Sequence, residues 1–84
     1  MNQPTRIALI GILIEKESSV EPVNQTLHNY REYIVGRMGI PYREKDVNII
    51  SVVLDAPEDT ISTLSGKLGM IDGITVKSMF TKKK

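Results

Sequence analysis

The run IALIGILI, residues 7–14, decides the fold because it is apolar at alternate positions and also at the positions between them. Successive side chains of a strand point to opposite faces of a sheet, so both faces of this strand are apolar. That pattern is typical of a central strand covered on both sides. Gly11 interrupts the run near its middle and leaves space on its face for a large group from elsewhere.

Three further strands and two helices are predicted around this run. Residues 47–54 repeat the two-faced apolar pattern, and weaker strand patterns cover residues 33–39 and 74–80, with a turn through residues 41–46 between the second and third strands. Apolar residues at helical spacing follow the first strand and predict a helix that ends near Arg31. A second helix is predicted to begin around Pro57 and to end at Gly69. The expected inward residues are Val20, Val23, Leu27 and Tyr30 in the first helix and Ile61, Leu64 and Leu68 in the second.

The predicted order βαββαβ indicates an α+β fold of the ferredoxin-like type, a four-stranded antiparallel sheet with two helices on one face. We expect a single domain spanning residues 1–84, with an ordered core of about residues 5–80. The helices leave the second sheet face bare although its strands carry large aliphatic side chains there. A large exposed apolar patch marks an interface, so we predict a homo-oligomer, at least a dimer, packed through the sheet.

Composition excludes several classes of function. The 84 residues include no cysteine, so disulfides, thiolate metal sites and a thiol nucleophile are excluded. The formal net charge is +1 with both signs interspersed, so direct nucleic-acid binding is not expected. The eight-residue run at 7–14 is too short for a membrane span, and we expect a cytoplasmic protein.

The sequence provides no catalytic residue set, cofactor motif or complete metal site. His28 and Glu32, four residues apart on a helix, could supply half of a metal site, but no second histidine completes it. A partly exposed helix histidine is the favoured interpretation, and a metal shared between subunits is the alternative. The segment Ser65-Gly66-Lys67 lacks the remaining residues of a phosphate loop and indicates the end of a helix instead.

The segment IVGRMGIPYREK, residues 34–45, has more structure than a generic hairpin requires, because two glycines lie inside a strand pattern and two arginines bracket them. One interpretation is a bulged hairpin that a neighbouring subunit approaches closely. The other is a ligand pocket at the subunit boundary, with the arginines pairing with a carboxylate or phosphate and Tyr42 supplying a ring or hydroxyl. The candidate ligand-binding or subunit-interface residues are Gly36, Arg37, Met38, Gly39, Tyr42 and Arg43.

Strict alternation along this strand places Arg37 on the face opposite Ile34, Met38 and Ile40. A bulge at one of the glycines would break that alternation.

Four segments together resemble the iron-only hydrogenase system regulator family. They are RIALIG at 6–11, LHNY at 27–30, IVGRMGIPYREK at 34–45 and LSGKLG at 64–69, and the resemblance extends over about residues 5–80. It implies an ACT-like fold, similar to the C-terminal domain of nickel-responsive repressors. Residues 15–19 lack the glycine usual in ligand-binding ACT domains. The single histidine and absent cysteine also depart from the nickel repressors, so nickel sensing of that kind is not implied.

These observations lead to two hypotheses of different class. The first is a non-catalytic ACT-like regulatory oligomer of an iron-only hydrogenase system, acting through small-ligand or protein binding. The alternative is a structural protein–protein interaction module that docks on a hydrogenase maturation factor without a ligand.

Overall fold

A computed structural model of the protein describes residues 4–81. Four strands and two α-helices occur in the predicted order βαββαβ. The elements are β1 (Arg6–Ile14), α1 (Val20–Asn29), β2 (Ile34–Tyr42), β3 (Val47–Ala56), α2 (Glu58–Gly69) and β4 (Ile74–Phe80). Short 3-10 turns precede α1 and β2 and connect β2 to β3.

The four strands form one antiparallel sheet in the order β2-β3-β1-β4. The two runs that are apolar on both faces are therefore the two central strands, and β2 and β4 are the edges. This arrangement is the predicted ferredoxin-like, ACT-like fold. It follows from the sequence because only a central strand needs apolar side chains on both faces.

Both helices cover the same face of the sheet, where the buried core lies. Alternate residues of β1 and β3 point into this layer. The buried apolar side chains of α1 and α2 pack against them in one core. Val20 and Tyr30 lie at the margin of the core, partly buried. The fully or almost fully buried apolar residues are Ala8, Ile10, Ile12, Ile14, Val23, Leu27, Ile50, Val52, Leu54, Ala56, Ile61, Leu64 and Leu68.

The second strand is longer than the sequence pattern predicts. It continues through Gly39 and Pro41 and ends at Tyr42, so the turn expected through residues 41–46 begins two residues later, at Arg43. An edge strand tolerates proline because one row of its backbone groups has no neighbouring strand to bond. Asp46 completes the turn in the left-handed conformation, at φ 56°.

Neither helix of the described part of the chain has the length and apolar character that crossing a membrane requires.

Candidate functional site

A bulge in β2 sets the direction of the candidate side chains. The register against β3 shifts between Ile34 and Gly36, so Val35 is the extra residue. Arg37 pairs with Val52 of β3 and therefore lies on the helix-covered face together with Ile34, whereas strict alternation placed these two on opposite faces. Met38 lies opposite Arg37, as predicted, because it pairs with the outward Ser51.

Arg37 is held against the helix layer. Its Nη2 donates a hydrogen bond of 3.0 Å to Oδ1 of Asn24 in α1. The side chain is exposed at the edge of the sheet, so this contact orients the guanidinium without burying it.

Tyr42 and Arg43 line a shallow groove of about 320 Å³ at one end of the sheet. Tyr42 donates a hydrogen bond of 2.9 Å from its hydroxyl to Oε1 of Glu44. The groove offers one cationic and two anionic side chains, which suits a small polar ligand that carries both charges. Its lining residues are Glu17, Pro41, Tyr42, Arg43, Asp46, Val47 and Asn48.

The structure separates the two arginines that the sequence placed in one pocket. Arg43 lines the groove, whereas Arg37 contacts Asn24 on the helix side and is not among the lining residues. The sequence interpretation missed Glu17 and Asp46 as groove residues. Their only signal was position: Glu17 follows the first predicted strand and Asp46 precedes the third, and these strand ends lie at the same end of the antiparallel sheet.

Gly36 and Gly39 are not required by the packing of the subunit itself. A Cβ added at Gly36 would meet no atom within 4 Å, and one at Gly39 would meet only the Ile49 carbonyl oxygen at 4.0 Å. Both positions therefore have space for a side chain within the subunit.

The segment that follows β1 is held beside the groove by contacts with the turn between α2 and β4, which lies far away in the sequence. Lys16 Nζ lies 2.5 Å from Asp72 Oδ2, the Ser19 hydroxyl donates to the Asp72 carbonyl oxygen, and Glu15 N donates to Gly73 O at 2.9 Å. The hydrogen bond from Lys16, and then its positive charge, lower the pKa of the Asp72 carboxyl. This contact holds the segment that carries Glu17 into the groove.

Within residues 4–81, neither helix lies over the second face of the sheet, here called the open face, and most of its side chains are apolar. Ile7, Leu9 and Leu13 on β1 are 43%, 36% and 42% exposed, and Met38 and Ile40 on β2 are 58% and 44% exposed. From the register, the open face consists of Ile7, Leu9, Gly11, Leu13, Gly36, Met38, Ile40, Tyr42, Val47, Ile49, Ser51, Val53, Asp55, Thr75, Lys77 and Met79.

His28 and the Ser65-Gly66-Lys67 segment each lie on a helix. His28 is exposed on α1, and residues 4–81 contain no group of three or more side chains placed to hold a metal ion. Ser65-Gly66-Lys67 lies inside α2, which confirms a helical segment and excludes a phosphate loop. Lys67 Nζ lies 5.4 Å from the centroid of the Tyr30 ring.

Several solved structures resemble the chain, and the first to be described matches nearly the whole of it. It is the uncharacterized protein TM1266 from Thermotoga maritima, with 42% sequence identity, a TM-score of 0.89, and coverage of 93% of this chain and 99% of that chain. A formyltetrahydrofolate deformylase from Pseudomonas putida KT2440 matches 88% of this chain with 28% of its own, at 16% identity and a TM-score of 0.58. That second likeness shows the fold alone.

No curated protein sequence matches the chain. A family model does: residues 6–78 match the TM1266-like family, described as "Iron-only hydrogenase system regulator, putative". The match covers both helices and most of the sheet, including the whole of β2. The chain therefore belongs to the TM1266-like family of iron-only hydrogenase system regulators.

Proposed function

We propose that this protein is a non-catalytic regulatory subunit of an iron-only hydrogenase system, and that it acts as a homo-oligomer by binding a small ligand or another protein. The family description supports this proposal because it names a regulator and no reaction. The observation that carries the proposal is the open face of the sheet, which exposes large aliphatic side chains where no element of the described chain covers them.

The size of the open face fits a second copy of the chain. Nine residues of β1 at about 3.3 Å each, across four strands about 4.8 Å apart, give a face of roughly 500 Å². Two such faces in contact bury roughly 1,000 Å², which reaches the lower bound for a specific protein interface. The face is also poor in charge at its centre, as interface cores are.

The groove at the end of the sheet is the proposed ligand site. Arg43, Glu17 and Asp46 supply charges of both signs, and Tyr42 and Val47 belong to both the groove and the open face. A ligand in the groove therefore lies next to the proposed subunit contact. This adjacency gives a ligand a physical means of changing self-association, because it can stabilise one arrangement of the two subunits over another.

Thermal-shift screening against amino acids, nucleotides and divalent metal ions tests the ligand site. A ligand at about 100 times its Kd stabilises a protein by about 2.7 kcal/mol. For a domain of this size that raises the unfolding temperature by roughly 10 °C or more. Arg43→Ala is expected to abolish the shift. Arg37→Ala is the matched control, since it removes the same group outside the groove and is expected to leave the shift unchanged.

The thermal-shift and pull-down results together distinguish small-ligand binding from protein binding. Equal shifts for Arg43→Ala and the wild type would contradict the groove as the site. If no compound stabilises the wild type, the small-ligand form of the proposal is wrong. Pull-down from an anaerobic bacterium with an iron-only hydrogenase, repeated with Arg43→Ala, then tests protein binding; a hydrogenase maturation factor among the partners would support the ligand-free docking alternative.

A further inference from the structure

The strand register aligns the side chains of the open face into rows that cross all four strands. The middle row has small residues at its centre, and the rows on each side of it have large apolar residues there. The middle row is Lys77, Gly11, Ser51 and Met38. The flanking rows are Met79, Leu9, Val53 and Gly36 on one side and Thr75, Leu13, Ile49 and Ile40 on the other.

The centre of the open face is therefore a trough. We define the trough by its floor, Gly11 and Ser51, and by its walls, Leu9 with Val53 on one side and Leu13 with Ile49 on the other. The floor residues pair directly with each other across β1 and β3. The wall residues of β1 are 36% and 42% exposed, so the trough opens to the surface.

The fold of the subunit does not require glycine on the floor of the trough. A Cβ added at Gly11 would meet one atom within 4 Å, the Lys77 carbonyl oxygen at 4.0 Å, which is ordinary contact distance. The backbone there does not adopt the left-handed conformation that favours glycine. Glycine inside a strand also weakens it, because it lacks a side chain to pack and has more conformational freedom to lose.

We infer that the trough is a socket that receives a large apolar side chain from the open face of a second copy of the chain. This inference rests on the proposed self-association. The open face is self-complementary, because walls and floor lie two residues apart along each strand, a spacing of about 6.6 Å that both copies share. A two-fold interface uses the same patch on both subunits, so a wall of one copy can enter the trough of the other.

The charges of the open face agree with this arrangement. Lys77 is the one charged residue of the three rows, and it lies on the edge strand β4. Its ammonium can extend past the rim into water while its methylenes pack, as long cationic side chains do. The floor and walls of the trough carry no formal charge, which is the composition of an interface core.

Gly11→Leu tests the socket, because this change fills the trough and at the same time makes the open face more apolar. Non-specific hydrophobic association would become tighter. A socket that is filled by its own subunit can no longer accept the partner, and a symmetric dimer suffers this loss twice. We expect the dissociation constant, measured by sedimentation velocity over a concentration series, to rise by roughly a hundredfold.

Gly66→Leu is the matched control. Gly66 is exposed on α2, on the opposite side of the sheet, and a Cβ there meets no atom within 4 Å. The same glycine-to-leucine change at that position is expected to leave the dissociation constant within about twofold of the wild type. Far-ultraviolet circular dichroism establishes that each variant is folded, and Gly11→Ala, with a smaller side chain, should weaken association in the same direction if Gly11→Leu does not fold.

The outcomes separate the socket from the proposed self-association. Weaker association of Gly11→Leu or Gly11→Ala than of Gly66→Leu supports the socket. A wild type that associates, with Gly11 variants that associate equally or more tightly, overturns the socket and leaves the homo-oligomer standing. A wild type that stays monomeric throughout the concentration series overturns both.

Discussion

Replacement of Gly73 by alanine should destabilise the protein strongly. The residue lies in the turn between α2 and β4, and this turn packs against the segment that follows β1. The φ of Gly73 is 76°, and a Cβ there would lie 2.6 Å from Cβ of Lys16 and 3.5 Å from its backbone nitrogen. An L-residue in the left-handed region costs about 1–2 kcal/mol. Relief of the overlap requires Lys16 to move, which disturbs its ion pair with Asp72 and the bond from Glu15 N to Gly73 O.

The net effect can be estimated from these parts. A disturbed backbone hydrogen bond costs about 1 kcal/mol. Alanine loses less conformational freedom on folding than glycine, which returns about 0.4–1 kcal/mol. We therefore expect Gly73→Ala to lower the free energy of unfolding by about 2 kcal/mol, and the unfolding temperature by roughly 10 °C.

Equilibrium urea denaturation at one protein concentration measures this change. Gly66→Ala provides the matched control, since a Cβ at Gly66 meets no atom within 4 Å and the residue lies inside α2. There the same change improves helix propensity and should raise the free energy of unfolding by about 0.8–1 kcal/mol. A free energy of unfolding for Gly73→Ala within about 0.5 kcal/mol of the wild type would refute the assigned turn geometry.

Three further perturbations test the core, the turn and the open face. Leu64→Ala removes a fully buried side chain of α2 and should lower the free energy of unfolding by about 3 kcal/mol in urea titration; a loss below about 1 kcal/mol would contradict its place in the core. The lowered pKa of Asp72 means that its contribution to stability is present above its ordinary pKa and is lost as the pH falls through the lowered one, so urea midpoints should fall less on acidification for Lys16→Met than for the wild type. Leu9→Lys puts an ammonium group in the middle of the open face and should weaken self-association at least about a hundredfold in sedimentation velocity, since an unpaired buried charge costs several kcal/mol. Unchanged association of this variant would show that the open face is not the contact.

The periodic elements could be predicted from the sequence because local pattern and tertiary packing agree there. The helical spacing of Val23 and Leu27 predicted their burial, and Ile61 and Leu64 were predicted in the same way. Residues 74–80 were predicted as a strand and form β4 with those bounds. In these segments one apolar face meets one core, so periodicity alone determines the outcome.

The candidate site could be predicted less well because it depends on a bulge and on contacts between distant residues. Because Val35 is an extra residue in β2, Arg37 lies on the same face of the sheet as Ile34. The alternating pattern of the sequence does not show where such a bulge occurs. The hydroxyl of Ser19 donates to the carbonyl oxygen of Asp72 across 53 positions of the chain. Such a contact exists only after the two turns have been brought together by the sheet.

The central claim, that a second copy covers the open face, is tested most directly by the mass of the wild-type protein in solution. Sedimentation equilibrium at micromolar concentration is predicted to give at least twice the 9.4 kDa subunit mass. A single species at the subunit mass throughout that range would contradict the claim.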